Sequence, residues 1–309
     1  MTVDLFPPSL PVLTTLGGSD SGRDWLTALP ALVEELRDLW SLRLGAPFLG
    51  GSCAWVAPAE LPDGRRAVLK VSWPHPEAVG EAEALRLWDG HGAVRVLAHD
   101  AGRCALLLER CDPGTELRAA QQLGAEQRLL LGAEVLGRLW TADPALATGL
   151  EPLEAVAACW ADTAEERMAR LRPDFDPGLV AHGVRLLREL PASAVRRVVL
   201  HGDFNPGNVL LSGRGPWLAI DAKPMTGDPA YDPSPLLAQL DDPFAHPDPR
   251  RVLSRRLALL ADALGEDARR LAAWALARQV ESALWALDEG RTDVGSMDRA
   301  PLLAELAGL

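Results

Sequence analysis

His201, Asp203, Asn205 and Asn208 stand within eight residues of one another, packed around Gly202, Pro206 and Gly207. Apolar runs flank them, Val198–Leu200 before and Val209–Leu211 after. Short β-branched runs of this kind belong inside a sheet, so the polar residues occupy a loop mounted on buried strands. Asp203 and Asn208 are five residues apart, and Asp221 follows Asn208 by thirteen, at the end of the run Pro216–Ile220. A hairpin turning at Ser212-Gly213-Arg214-Gly215 would set Asn208 beside Asp221. An amide oxygen and a carboxylate at adjacent strand ends are hard ligands. They suit Mg²⁺, which takes one or two carboxylates and completes its shell with waters and phosphates. Asp203, on the preceding loop, falls within reach of that site but outside its shell, where a base for a substrate hydroxyl is wanted. His201 is better placed to orient the loop through hydrogen bonds than to do chemistry.

The elements that must position these groups are legible in outline. Residues 1–24 are rich in Pro, Gly and Ser and are expected to form a loose N-terminal arm. Trp25 to Trp40 carries apolar residues at helical spacing: Leu29, Leu32, Val33, Leu36, Leu39. From 43 to 109 the pattern becomes short strands. Pro62-Asp63-Gly64 is a hairpin turn joining Ala54–Ala57 to Ala67–Val71, and Val94–Ala98 and Cys104–Glu109 form a second hairpin. A helix from about Glu77 to Trp88 lies between the two. Cys111-Asp112-Pro113-Gly114 is a natural linker, and beyond it helices dominate, over about 123–141, 151–171, 176–190, 250–264, 267–289 and 299–308. The fold class is therefore α+β. A small β-rich lobe, residues 25–110, precedes a larger, mainly helical lobe, residues 111–309, that contains one short hairpin.

At 309 residues the chain can bury a substantial core, and its 48% hydrophobic and 24% charged content is that of a soluble globular protein. A net charge of −12 argues against a nucleic-acid partner, which needs a basic face, and agrees with a cationic one. The four cysteines are scattered, with no C-x-x-C pair. The start, MTVDLFPPSLPVL, lacks a basic stretch followed by an apolar core, and no apolar run reaches the roughly 18 residues of a membrane span. A cytoplasmic location with no membrane partner is expected.

His201-Gly202-Asp203-x-x-x-x-Asn208 followed by Ile220-Asp221 resembles the catalytic and metal-binding loops of the aminoglycoside phosphotransferase family, relatives of the protein kinases. GPWLAIDAKPMTGDPAYD (215–232) and GSCAWVAPAELPDGRRAVLKVSWPHPE (51–77) are similar to the branch containing streptomycin 6-kinases and hydroxyurea phosphotransferases. The resemblance covers most of residues 45 to 240. It implies a two-lobed, protein-kinase-like fold that uses ATP and Mg²⁺, with Asn208 and Asp221 on the metal and Asp203 as base. It also demands an ATP lysine in the small lobe, and Lys70 in AVLKV is the only lysine there; the chain has one other, Lys223. By the same resemblance Glu81 partners Lys70, with Glu83 the alternative, two positions round the helix. Leu49-Gly50-Gly51-Ser52 would cover the phosphates with backbone N–H groups. Leu107–Cys111, including Glu109 and Cys111, would be the hinge whose backbone reads adenine.

Each residue has a plainer use. Asp203 or Asn208 alone could form a turn, Gly50-Gly51 an ordinary connection, and Glu81 surface charge. The complete set of Lys70, Asp203, Asn208 and Asp221 at this spacing is what points to a site. Asp228 and Asp232 in GDPAYDPS are best read as helix caps, with contact to the acceptor substrate as the alternative. The ten tryptophans are packing residues first. Lys223 is left open between a γ-phosphate contact and solvent.

The expected activity is phosphorylation of a hydroxyl on a streptomycin-like aminoglycoside or aminocyclitol antibiotic by Mg-ATP. The alternative is a kinase of another small metabolite, such as an amino sugar, hydroxyurea or a peptide antibiotic. The acceptor is expected to be cationic, with Asp228, Asp232, Asp241, Asp242, Glu281 or Asp288 as its counter-charge, and the chain a monomer or homodimer. A two-metal phosphohydrolase built on His201, Asp203, Asn208 and Asp221 leaves Lys70 without a task. A degenerate nucleotide-binding module is at odds with the complete residue set.

Overall fold

The structure, a computed structural model, describes residues 4–215, 217–291 and 297–309. Its first elements correct the expectation of a loose arm. Helix α1 (Pro11–Leu16) lies within that stretch and helix α2 (Asp20–Leu39) begins in it, and Leu10, Val12 and Leu16 are buried. The composition misleads because its breakers sit where helices tolerate them. Pro11 takes the first helical position, whose N–H needs no partner. The Ser19 hydroxyl caps α2 by accepting from the Gly22 N–H at 3.1 Å. Residues 1–3 of the expected arm lie outside the described residues.

These two helices cover one face of a five-stranded antiparallel sheet. Its strands are β1 (Arg43–Leu44), β2 (Ala54–Glu60), β3 (Arg66–Ser72), β4 (Val96–Asp100) and β5 (Ala105–Glu109), in the order β1-β2-β3-β5-β4. The expected turn joins β2 to β3, with Trp55 opposite Val71 and Glu60 opposite Arg66. Gly64 closes it at φ +82°, a left-handed value that favours glycine. Because side chains alternate along a strand, Trp55, Ala57, Leu69, Val71 and Leu107 face α1 and α2. Val68, Leu106 and Leu108 face the other way, onto the larger core, and so does Lys70, between Val68 and the next inward residue. Helix α3 (Pro76–Trp88) packs on that second face through Ala82, Leu85 and Trp88.

The segment expected as a linker, Cys111–Gly114, runs into a strand, β6 (Pro113–Glu116), that had no sequence signal. The hairpin β8 (Val209–Ser212) to β9 (Trp217–Ala219) forms as expected, and β6 adds to its free side. Pro216, the expected first residue of the return strand, lies outside the described residues. β7 (Val198–Leu200) is not part of this hairpin; it pairs with β10 (Met225–Gly227) in a separate two-stranded sheet. The loop 201–208 therefore bridges two sheets, and each short strand finds its partner through tertiary packing that a three-residue pattern cannot encode.

Six helices of the large lobe run close to their expected bounds: α4 (Ala125–Leu139), α5 (Leu153–Leu171), α6 (Pro177–Ala192), α8 (Pro249–Leu264), α9 (Ala268–Asp288) and α10 (Ala300–Ala307); the short α7 (Ser234–Gln239) is an addition. Asp176, Asp248 and Asp267 cap α6, α8 and α9. Helix α9 is the centre of this lobe, with Leu271, Trp274, Leu276, Val280 and Leu284 buried against α5, α6 and α10. Among the described residues no helix is long and apolar enough to cross a membrane.

If the first helices belong to the core, Leu10→Ala should cost about 2–5 kcal/mol, the usual loss for emptying a buried leucine site. Urea unfolding of the whole chain measures it. A change of about 0.5 kcal/mol or less, as for a surface position, would return this segment to a loose arm.

Candidate active site

Gly202 opens the loop at φ +82°. A Cβ there would lie 1.8 Å from the Lys223 carbonyl oxygen, so only glycine fits. The close approach lets the Lys223 N–H donate to the His201 carbonyl at 2.8 Å, tying the loop to the chain beyond β9. Beneath it, the Asp232 carboxylate, 1% exposed, accepts from the N–H groups of His201 (2.9 Å) and Gly202 (2.8 Å) and from Trp140 Nε1 (3.1 Å). Burial raises the Asp232 carboxyl pKa, and the two backbone N–H groups and the Trp140 N–H oppose it. All three partners are donors, an arrangement that suits the anion.

His201 is a buried strut. Its Nδ1 accepts from the Asp203 N–H (3.3 Å), which assigns the ring proton to Nε2, facing the Ile220 carbonyl at 3.0 Å. The ring lies between Trp88 and Phe204, and burial pushes its pKa below the ordinary value, so it is neutral. Asn205 Oδ1 accepts from the Gly207 N–H (2.9 Å), and Asn208 Nδ2 donates to the Asp203 carbonyl (3.0 Å). That last bond assigns the Asn208 amide and turns Oδ1 the other way. The Ile220 N–H donates to the Asn208 carbonyl at 2.9 Å, which sets Asn208 beside Asp221 as the hairpin demanded.

Lys70 closes the site from the other lobe. Its Nζ lies 2.8 and 2.6 Å from the two Glu81 oxygens and 2.6 Å from Asp221 Oδ1. Three N–H donors thus meet three carboxylate oxygens. Burial works against the charge on Lys70, but Glu81 and Asp221 outweigh it and raise the ammonium pKa. Lys70 in turn lowers the Asp221 carboxyl. Glu83, the alternative partner, goes elsewhere and accepts from the Gly149 N–H at 2.9 Å.

The remaining residues expected on the nucleotide side are distributed less tightly. Gly50, Gly51 and Ser52 lie between β1 and β2, and Gly51 takes φ +92°. The Glu109 carboxylate is committed to Arg214 (2.7 and 2.9 Å) and the Arg95 N–H (3.1 Å). Burial pushes the Cys111 thiol up to about 12, so it is an apolar wall rather than a nucleophile.

Asp203 opens onto a cleft of about 670 Å³ shared with Lys223, Trp160, Arg278, Glu281 and Trp285. Arg278 lies over the Tyr231 ring at 4.6 Å and bonds its hydroxyl. Glu281 sits 3.6 Å from Arg167, and burial raises its pKa. The other carboxylates expected to meet an acceptor do different work. Asp228 is 2% exposed and binds Arg270 (2.8 Å), Trp274 Nε1 (2.6 Å) and the Ala230 N–H (3.1 Å). Asp232 is the clamp under the loop. Asp241 pairs with Arg128, Asp242 with Arg299, and Asp288 with Arg167 and Arg170. Four are paired with arginine and Asp232 is held by its three donors, so these five carboxylates are committed, and none of them lines the cleft. Trp160, Arg278, Trp285 and Glu151, which also lines the cleft, carried no motif; they come from or beside helices whose periodicity announces only a buried face.

Among the described residues no three His, Cys, Asp or Glu side chains converge on a metal position. Asn208 Oδ1 and the half-exposed Asp221 carboxylate form the sparse oxygen set that Mg²⁺ accepts when phosphates and water complete its shell. The donors fit that ion.

Residues 40–290 match the family described as aminoglycoside/hydroxyurea antibiotic resistance kinase. A streptomycin 6-kinase of Streptomyces glaucescens is 38% identical over 272 residues, 88% of this chain and 87% of that protein. A hydroxyurea phosphotransferase of Kitasatospora aureofaciens is 36% identical, over 94% of this chain and 82% of its own. Among solved structures, the choline kinase LicA from Streptococcus pneumoniae superposes with a TM-score of 0.61 at 15% identity, covering 91% of this chain and 99% of that one. LicA has also been solved with AMP. The fold is accordingly protein-kinase-like, with two lobes. Matched over most of its length, the chain belongs to the aminoglycoside/hydroxyurea antibiotic resistance kinase family.

Proposed function

We propose that the protein transfers the terminal phosphoryl group of ATP, with Mg²⁺, to a hydroxyl of a streptomycin-like aminocyclitol. The observation that carries this is the Lys70 ammonium held by Glu81 and Asp221 within the same site as Asp203, whose carboxylate opens onto the acceptor cleft. Lys70 would neutralise the nucleotide phosphates, and the loop 50–52 would offer them backbone N–H groups. Asn208 and Asp221 would hold Mg²⁺, which supplies charge neutralisation on the phosphates when bound. Asp203 would orient the acceptor hydroxyl and take its proton. The protein is asked for position and charge rather than covalent chemistry.

The acceptor class rests on the relatives together with the cleft. Two tryptophans and Glu281 suit a flat cationic group such as a guanidinium, which stacks on aromatic faces and pairs with carboxylates. Arg278 and Lys223 oppose such a group, so a cationic acceptor would enter along the Glu281 side. Hydroxyurea is the second candidate, favoured by the relative that bears its name. A cleft of about 670 Å³ is in the range of drug-sized ligands and far exceeds so small a molecule, which favours the aminocyclitol reading.

With Mg-ATP and streptomycin, coupled ADP release should exceed that seen with hydroxyurea or choline. Asp203→Ala should lower turnover by about 10²–10⁴, the usual contribution of a positioned base, while calorimetric Mg-ATP binding stays. Near-full turnover in the variant would remove Asp203 from its role. Chelating divalent cations should stop the reaction and added Mg²⁺ restore it; turnover that persists in excess chelator would exclude the metal.

A further inference from the structure

Lysine is nearly absent from this chain: Lys70 and Lys223 are the only two, and arginine supplies every other side-chain cation apart from histidine. Both lysines lie in the site. Lys70 is accounted for; Lys223 is not. Its backbone is part of the mount, since its N–H donates to His201 and its carbonyl packs on Gly202. Its side chain, 47% exposed, lines the acceptor cleft, and its Nζ stands 3.7 Å from Asp203 Oδ2. That contact is an ion pair longer than a hydrogen bond, and it sets the ammonium beside the carboxylate expected to meet the acceptor.

We infer that Lys223 is a second catalytic cation, which meets the phosphoryl group in transit between ATP and the acceptor; this rests on the phosphotransferase reading above. An acceptor oxygen hydrogen-bonded to Asp203 lies about 2.6–3.2 Å from it, and attack begins with the phosphorus about 3–3.5 Å beyond. An ammonium within 4 Å of the same carboxylate, on a flexible stem anchored to the loop itself, can reach the oxygens of that group. The step forms one bond from the acceptor oxygen to phosphorus and breaks the bond from phosphorus to the bridging oxygen, which leaves with its electron pair on ADP. The acceptor proton passes to Asp203. Lys223 keeps its protons and supplies charge where the three oxygens of the transferred group carry it. Lysine suits this task better than arginine, because a compact ammonium can shift from Asp203 to the phosphoryl oxygens without a planar fork to realign.

The same placement has a second consequence. Facing Asp203, Asp221, Arg278 and Glu281, the Lys223 charge repels any cationic acceptor that enters the cleft. Lys223→Met should therefore lower kcat by about 10²–10³, the loss typical of one preorganised charge-stabilising donor, while KM for streptomycin stays or falls. ATP affinity should change little, and Lys223→Arg should recover part of the turnover. The experiment is steady-state kinetics of wild type, Lys223→Met and Lys223→Arg with streptomycin, and in parallel with water as the acceptor. A kcat within about threefold of wild type, or a loss carried wholly by a raised KM, would overturn the inference. So would an arginine variant no better than methionine. If wild type transfers to water but to no antibiotic, the proposed acceptor class fails, and the water reaction alone decides the role of Lys223.

Discussion

One buried ammonium holds the two halves of the site together. Lys70 projects from the central strand of the small sheet, and its three N–H groups are matched by two oxygens of Glu81 on α3 and one of Asp221 beyond β9. Each partner must be delivered by a separate element. The period of β3 decides that Lys70 faces α3 rather than α2. The helical spacing of α3 sends Glu81 inward and Glu83 to Gly149. The β8–β9 hairpin brings Asp221 alongside Asn208. A buried ion pair is a poor source of stability, because desolvation consumes much of the attraction. Its value here is positional: removing Lys70 would leave two close carboxylates with no cation between them, and removing either carboxylate would leave the ammonium short of an oxygen, so the arrangement is held in one geometry.

The second constraint is the anion beneath the loop. Asp232 binds two backbone N–H groups, and the neutral His201 ring spans from the Asp203 N–H to the Ile220 carbonyl. Asp203, Asn208 and Asp221 therefore hang on a frame whose hydrogen bonds are internal and mostly buried. The polar loop is fixed before any ligand arrives, which is what a reaction governed by position and charge requires. The exposed parts of the site, the glycine loop and the Lys223 side chain, are those that must give way to admit a nucleotide and an acceptor.

The sequence showed the parts of this frame whose signal is local. The spacing of Asp203, Asn208 and Asp221 lies within nineteen residues, and Lys70 stood out as the only small-lobe lysine. The turn at Gly64 and the six long helices were legible from their breakers, caps and periodicity. Asp232 was not, because its donors lie 30, 31 and 92 residues away and a loop aspartate ahead of a helix looks like a cap. The partner of β7 was hidden for the same reason: three apolar residues specify burial but not a neighbour. The folded N-terminus has no signal in composition, because Pro11 and Ser19 favour helices only by their position at a helix start. The cleft wall of Trp160, Arg278 and Trp285 is assembled from α5 and α9, and no local pattern says which of two packed helices borders a cavity.

The most direct measurement is to identify the product. After incubation with Mg-ATP, streptomycin would be separated and examined by mass spectrometry and phosphorus NMR. One added phosphoryl group, coupled to a single ring position and formed in step with ADP, is the predicted result. ADP accumulating with free inorganic phosphate and unmodified streptomycin would contradict it.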